Sequence, residues 1–386
     1  MSYEEDDYQP KPHIIIDNGS GYIKAGFSNE IDPRTVFPSI IGYPKYVNHF
    51  NFNREKKEFY IGFEAEANRG ILKLNYPIKN YEIDDWINWD DIENIWSYIF
   101  TNELRVAPEE HNILITECSE NQRKNRNWMA QIMFETFNIP GLYISNPGVL
   151  SLYSGGKFTG TAIDLGHSVS QFIPIFDGAP LPYGIKKYNF GGKELTEYFV
   201  QILQSYGYKL NTTATWEIAK EIKEKGCYFT LDYEKENKEP FVHELPDGNF
   251  ITISDSEIRC LKKYFKPKHY EFMRYGFDLY SSGKICYDSI QKCDFDIKKD
   301  LFGSIVLSGG NSLFKGLPEI IEKDIKDLAP ESLKEKVKVI ASSDRKFAAW
   351  IGGKLFSQLS YSKSMWITKS EYDESGINIV RRKCFC

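Results

Sequence analysis

Two glycine-rich turns, each led by an aspartate, are the first places where chemistry could sit. Asp17-Asn18-Gly19-Ser20-Gly21 joins one short apolar run, His13-Ile14-Ile15-Ile16, to another, Tyr22-Ile23-Lys24-Ala25-Gly26-Phe27. Two β-rich runs around such a turn read as a hairpin. Successive backbone N–H groups in the turn form an anion-binding nest, and glycine lets a phosphate come close. The plan returns later in the chain. Thr161-Ala162-Ile163 reads as a strand ending in Asp164, Asp164-Leu165-Gly166-His167-Ser168 as the turn, and residues 169–176 as the return strand. One such hairpin is a weak sign, because most glycine-rich hairpins bind nothing. Two of them, each led by Asp, could clamp a polyphosphate from both sides. Asp17 and Asp164 could then hold a hydrated Mg²⁺, which keeps several waters and needs few carboxylates. Leu307-Ser308-Gly309-Gly310 reads as a strand end feeding a helix, where α/β folds accept nucleotides. A plain tight turn explains that segment equally well. The P-loop pattern, GxxxxGK followed by Ser or Thr, is absent, so a Walker-type site is excluded.

The matching hairpins predict a duplicated fold. Helices are expected between the strands. Asn88 reads as an N-cap with Asp90 and Asp91 in the first turn, and Trp89, Ile92, Trp96, Ile99 and Phe100 follow helical spacing up to Leu104. A second helix is expected over 121–138, with Trp128, Met129, Ile132, Met133 and Phe137 on one stripe and Pro140-Gly141 beyond its end. A third covers 215–225, supported by Lys220 and Glu224 at i,i+4. Another falls within 312–329. Strands alternating with helices in two halves predict an α/β architecture. Two stretches, 43–60 and 262–284, are polar, aromatic and basic with no clear period. Each reads as a functional loop or, equally, as a solvated one.

Composition bounds the rest. The chain has 386 residues, enough for two or three domains, and is 41% hydrophobic, enough for a core without disulfide or metal staples. A net charge of −6 argues against general nucleic-acid binding, which needs a basic surface. The opening MSYEEDDYQ is acidic and does not read as a secretory signal. No apolar run approaches the roughly 18 residues of a membrane span. These features lead to the expectation of a soluble intracellular protein. Seven scattered Cys without a CxxC predict reduced thiols, with redox or metal chemistry at Cys384 and Cys386 as the alternative. The unusual quantity is the aromatic content of 15%, with 25 Tyr and 26 Phe. Trp89, Trp96, Trp128 and Phe134 are expected in the core; many others lie in the two aperiodic stretches.

In this order the pieces resemble the actin family, along nearly the whole chain. Besides Asp17 to Gly21, the likeness rests on Asn102-Glu103-Leu104-Arg105-Val106-Ala107-Pro108-Glu109-Glu110-His111 and on Gln131-Ile132-Met133-Phe134-Glu135-Thr136-Phe137-Asn138. Lys223-Glu224-Lys225, Ser308-Gly309-Gly310, Trp350-Ile351-Gly352-Gly353 and Arg382-Lys383-Cys384-Phe385 complete it. The resemblance implies an α/β fold, the ATPase fold shared by actins, heat-shock chaperones and sugar kinases. That fold has two duplicated lobes around a nucleotide cleft. It implies four subdomains: 1–38 with 77–154 and 348–386; 39–76; 155–190 with 281–347; and 191–280. The implied cofactor is ATP or ADP with Mg²⁺ or Ca²⁺. By the same resemblance Gly19, Ser20, Gly21 and Tyr22 form the first phosphate loop, and Lys24 is its phosphate-binding lysine. Asp17 and Asp164 are the metal-side carboxylates, acting through water. Gly166, His167 and Ser168 form the second loop. Gly192, Lys223, Glu224, Gly309, Gly310, Asn311, Phe314 and Lys346 complete the implied nucleotide contacts.

Departures from the family are as informative. The glutamine that positions the attacking water aligns with Pro147, which has no side-chain amide. An acidic residue of the second loop aligns with His167, whose protonated form would repel a cation. A histidine of the water network aligns with Gln171, which cannot usefully accept a proton near pH 7. The three changes together predict retained nucleotide binding with hydrolysis lost or very slow. Residues 43–60 replace the loop that inserts into the next subunit of a filament, and carry Arg54, Lys56 and Lys57. Residues 262–284 replace the apolar plug. Lysines in place of buried apolar contacts predict poor self-assembly and a docking surface for other protein partners. The resemblance thus implies a structural subunit of a cytoskeletal or other multiprotein assembly, beside actin or actin-related subunits. The implied location is the cytoplasm and cytoskeleton, with a dynein-type complex of a cilium or axoneme, or the nucleus, also open. A conventional filament-forming ATPase is the alternative; a sugar kinase or chaperone ATPase fits the quoted stretches less well.

Overall fold

A computed structural model describes residues 11–45, 57–79, 83, 86–119, 122–208, 213–231, 240–244, 248, 250–254 and 281–384. Most of the two aperiodic stretches, 46–56 and 262–280, lies outside the described residues, as do Cys260 and Cys386. The chain divides into two compact units, Met1–Leu150 with Trp350–Cys386, and Ser151–Ala349.

In the first unit, β1 (Ile14–Asn18) and β2 (Tyr22–Phe27) form the expected hairpin, followed by β3 (Thr35–Pro38). β4 (Ile41–Pro44), β5 (Tyr60–Ile61) and β6 (Leu72–Asn75) make a separate three-stranded sheet. β7 (Ile113–Thr116) and β8 (Gly141–Ser145) return to the main sheet, whose order is Ile367–Thr368, β8, β7, β1, β2, β3. β1 runs antiparallel to β2 and parallel to β7, and β7 runs parallel to β8. The apolar run of β1 is continuous because both faces of this central strand are buried.

Two helices, Trp86–Tyr98 and Arg123–Gln131, each pass directly into a π-helical turn, Ile99–Leu104 and Ile132–Thr136. Trp89, Trp96, Phe100 and Phe134 are buried with the sheet residues, and Trp128 packs against them. Asn88 is not the N-cap. It lies inside the first helix, where its Oδ1 accepts from Asn75 Nδ2 at 3.0 Å. Asp91, one turn on, accepts from the Tyr43 hydroxyl and from Asn75. Tertiary partners, rather than capping, decide those two positions.

In the second unit, β9 (Gly160–Leu165) and β10 (Ser170–Phe176) form the other hairpin. β11 (Ala179–Pro180) and β12 (Lys186–Tyr188) both pair with β10, β13 (Phe241–Glu244) pairs with β14 (Phe250–Ile253), and β15 (Ile305–Ser308) and β16 (Val339–Ile340) complete the main sheet. Its order is β11, β10, β9, β15, β16. β9 is antiparallel to β10 and parallel to β15, and β15 is parallel to β16. β9, β10, β15 and β16 repeat the directions of β1, β2, β7 and β8, and this is the duplication in structural form. Phe172, Phe199, Phe302 and Leu307 lie in the core beneath it. The helix Thr213–Gly226 forms where expected, but Lys220 pairs with Glu217 at 3.4 Å, and Glu224 is exposed. The helix expected within 312–329 is Leu317–Leu328, and a 3₁₀ turn, Gly310–Leu313, precedes it.

Among the described residues no helix is long and apolar enough to cross a membrane. Cys118, Cys227, Cys286, Cys293 and Cys384 are buried free thiols, which is the packed-thiol reading.

Candidate functional site

The site residues fall into two half-sites, one in each unit. In the first, Asp17 and Asn18 are the last residues of β1 rather than part of the turn. Asp17 is buried, and both of its carboxylate oxygens are engaged. Oδ2 pairs with Lys24 Nζ at 2.7 Å, across the register pair Asp17–Lys24 of the hairpin. Oδ1 accepts from the hydroxyl of Thr116 at 2.9 Å. That hydroxyl in turn accepts from the Asn18 N–H at 2.9 Å. The turn Gly19–Gly21 is closed by Gly19 N–H to Asp17 O (3.0 Å) and anchored by Ser39 N–H to Gly21 O (3.1 Å). Ser20 is buried in the turn, and Tyr22 is half-buried at the start of β2.

The second half-site repeats the arrangement. Asp164 stands near the end of β9 in register with Gln171, as Asp17 does with Lys24. Asp164 Oδ1 accepts from Ser308 Oγ at 3.0 Å, as Asp17 does from Thr116. The second turn is tied to the helix Gly192–Ser205. Gly192 N–H reaches Gly166 O at 3.1 Å, and Lys193 N–H reaches His167 O at 2.8 Å. Asn311 Nδ2 donates to Gly166 O at 2.8 Å. Lys223, fully enclosed, donates to Gly192 O at 2.9 Å, and burial pulls its pKa down to about 8. Glu194 accepts the Gly191 N–H at 2.9 Å, closing the start of the same helix, and burial pushes its pKa up. Gly309 has φ +83°, and a Cβ there would lie 2.3 Å from Leu165 O and 2.8 Å from Asp164 Oδ1. Only glycine lets the chain leave β15 so close to that aspartate.

The second half-site therefore gathers Asp164, Gly166, His167, Gly192, Lys223, Gly309 and Asn311 through direct contacts. Ser168 is buried within the turn, and Gly310 opens the 3₁₀ turn that follows Gly309. Those contacts do not include Glu224, Phe314 or Lys346. Phe314 is buried edge-on against Phe229, with ring centroids 5.5 Å apart. Lys346 is exposed, with its ammonium 5.6 Å from the centre of the Phe347 ring. Sequence reading missed Thr116, and missed what the Ser308 hydroxyl does. The available signal was one hydroxyl closing an otherwise aliphatic run, Ile-Leu-Ile-Thr and Ile-Val-Leu-Ser.

His167 is half-buried. Desolvation first, then the charges of Lys220, Lys223 and Lys193, pull its pKa down to about 3. It is neutral at pH 7, so the repulsion expected of a protonated ring does not arise there. In the unfolded chain this histidine titrates near 6.5. Between that value and about 3, acid protonates the unfolded chain but not the folded one, so stability falls as pH falls. His167→Asn is expected to remove this part of the acid sensitivity. Near pH 5 the difference should be on the order of 1–2 kcal/mol, read from urea midpoints at neutral and acid pH.

In each unit, a buried carboxylate at a strand end beside a glycine-bearing turn suits a hydrated hard cation and the phosphates it accompanies. The residues present thus fit a metal–nucleotide group. Within its own unit, each aspartate would be the cation-side group, and the turn beside it would offer backbone N–H groups. A family model described as Actin matches residues 8–385 of the chain. With the two repeated half-sites, this match over nearly the full length places the chain in the actin family, with the actin-type ATPase fold.

Proposed function

We propose that this chain is an actin-like nucleotide-binding subunit that serves a structural role in a multiprotein assembly and hydrolyses ATP slowly or not at all. The observation that carries the nucleotide reading is the repeated half-site. Each unit presents a buried aspartate at a strand end, held by a hydroxyl from the neighbouring parallel strand, with a glycine-bearing turn beside it. Mg²⁺, when bound, would supply charge neutralisation of the phosphates. Lys24 and the turn N–H groups orient the phosphates, and Lys223 and Glu224 are the proposed adenosine-side contacts. The four-subdomain division given by the resemblance is kept as part of this reading.

The structural role rests on sequence departures. Pro147, His167 and Gln171 stand at the family's hydrolytic positions, and the stretches 43–60 and 262–284 carry charge and aromatics where subunits would meet. We assign these stretches to protein partners, in the cytoplasm or cytoskeleton. A conventional filament-forming ATPase is the competing function, and one preparation separates the two. The purified chain is expected to bind a fluorescent ATP analogue with Mg²⁺ and to stay in the supernatant when salt and Mg-ATP are added. Efficient pelleting would establish the competing reading, and no nucleotide uptake would remove both.

A further inference from the structure

Behind the two aspartates sit two hydroxyls that no motif marks. We propose that Thr116 and Ser308 are positioning residues, one in each unit, that fix how Asp17 and Asp164 present their carboxylates to a bound divalent cation. The inference rests on the cation–nucleotide reading above and deepens it.

The strands that carry these hydroxyls are aliphatic up to their last residue. Each lies parallel to the strand that carries the aspartate. Ser308 is in register with Asp164, and Ile115 with Ile16, so Thr116 falls beside Asp17. The contacts join residues 99 and 144 positions apart in sequence. A buried position at the end of such a strand is served by valine or alanine as far as packing goes. A hydroxyl there needs a polar partner, and in both units the partner is the aspartate.

The direction of the Thr116 proton follows from its neighbours. Its oxygen accepts the Asn18 N–H, so its own O–H is committed to Asp17 Oδ1. Lys24 donates to Oδ2 from the other side. With a donor on each oxygen the carboxylate is held against rotation, and its remaining lone pairs keep one direction. Asp164 is held differently. Ser308 donates to Oδ1, and the bare Cα of Gly309 packs so closely that a Cβ would fall 2.8 Å from that same oxygen. In both units the chain restricts the carboxylate from the side of the parallel strand. A carboxylate already oriented loses less freedom when a hydrated cation arrives. Groups that orient a ligand from behind in this way are worth about 10–100-fold in metal affinity.

The test uses the full chain and four variants: Thr116→Val, Ser308→Ala, and the hydroxyl-keeping Thr116→Ser and Ser308→Thr. Two quantities are read. One is Mn²⁺ affinity by electron paramagnetic resonance with ATP present; the other is release of a fluorescent ATP analogue after EDTA. Thr116→Val and Ser308→Ala are expected to weaken Mn²⁺ binding about 10–100-fold and to speed release, while the hydroxyl-keeping variants stay within about threefold of the parent. A general packing defect would not be rescued by the hydroxyl alone. Either deletion variant, folded by circular dichroism and holding Mn²⁺ as the parent does, overturns the proposal. Should Thr116→Val fail to fold, Ser308→Ala decides by the same criterion. A parent chain that takes up neither ATP nor Mn²⁺ overturns the site reading itself, a different outcome from a parent that binds and variants that do not change.

Discussion

Single-turnover ATP hydrolysis by this chain is expected to run about 10²–10⁴-fold slower than that of a conventional filament-forming actin, the range that positioned proton-transfer groups contribute. The expectation comes from three positions. Pro147 is the first residue of the helix Pro147–Ser154. Asn146 caps that helix, accepting the Gly148 N–H at 2.8 Å and donating to Ser119 Oγ at 2.6 Å. Proline suits this position, since its missing N–H would have had no partner within the helix. The helix start is therefore well built, but it offers no amide to orient a water. Gln171 is fully buried in register with Asp164, and its amide does not accept a proton near pH 7. His167 is neutral and brings no carboxylate. The matching gain-of-function variant is Pro147→Gln with His167→Asp and Gln171→His. Glutamine at the first helical position costs little, because that N–H needs no helical acceptor. The triple variant is expected to hydrolyse at least about tenfold faster than the parent, a modest share of what such groups supply. A parent already as fast as a conventional actin would end the proposal of lost hydrolysis.

Much of the site was legible because its signals are local. Turn glycines, an adjacent aspartate and flanking β-branched runs mark a hairpin within about ten residues. The hairpins formed where expected, with one shift: Asp17 and Asn18 belong to the strand and not the turn, and β9 runs through Asp164 to Leu165. That shift matters, because strand residues acquire neighbours from distant parts of the chain, and those neighbours are Thr116 and Ser308. Pairing across 99 or 144 residues leaves no periodic trace. Helix ends failed for a similar reason. Asn88 carried the chemistry of a cap, yet the helix starts at Trp86 and the Asn88 side chain meets Asn75 from the small sheet. Lys220 and Glu224 had suitable spacing for a pair, but Lys220 turned to Glu217 and Lys225 to Glu221. Surface pairs of this kind differ by only about half a kcal/mol, so spacing alone does not choose between them.

The largest loss of stability is expected from Arg126→Met, about 3–5 kcal/mol, the usual cost of stranding one charge of a buried pair. Glu117 follows β7 directly, and its N–H donates to Ser145 O at 2.9 Å, so its side chain is fixed at the end of the sheet. That carboxylate is 1% exposed and is paired with the Arg126 guanidinium. The same guanidinium donates to Cys384 O at 3.0 Å and so ties the last described residue to the helix Arg123–Gln131. Methionine keeps much of the side-chain volume but leaves the carboxylate buried without that charge. Urea unfolding at neutral pH should show the loss as a lower midpoint with little change in slope. Adding Glu117→Gln to Arg126→Met should recover part of it, because the stranded charge is gone. Cys384 supplies a second readout. Its thiol is buried, and desolvation pushes its pKa up to about 12, so it should react slowly with thiol reagents in the parent. With the carbonyl released, labelling of Cys384, located by mass spectrometry, should speed up. A loss below about 1 kcal/mol with unchanged labelling would mean that the pair and the tail contact carry little of the fold's stability, as an exposed pair would.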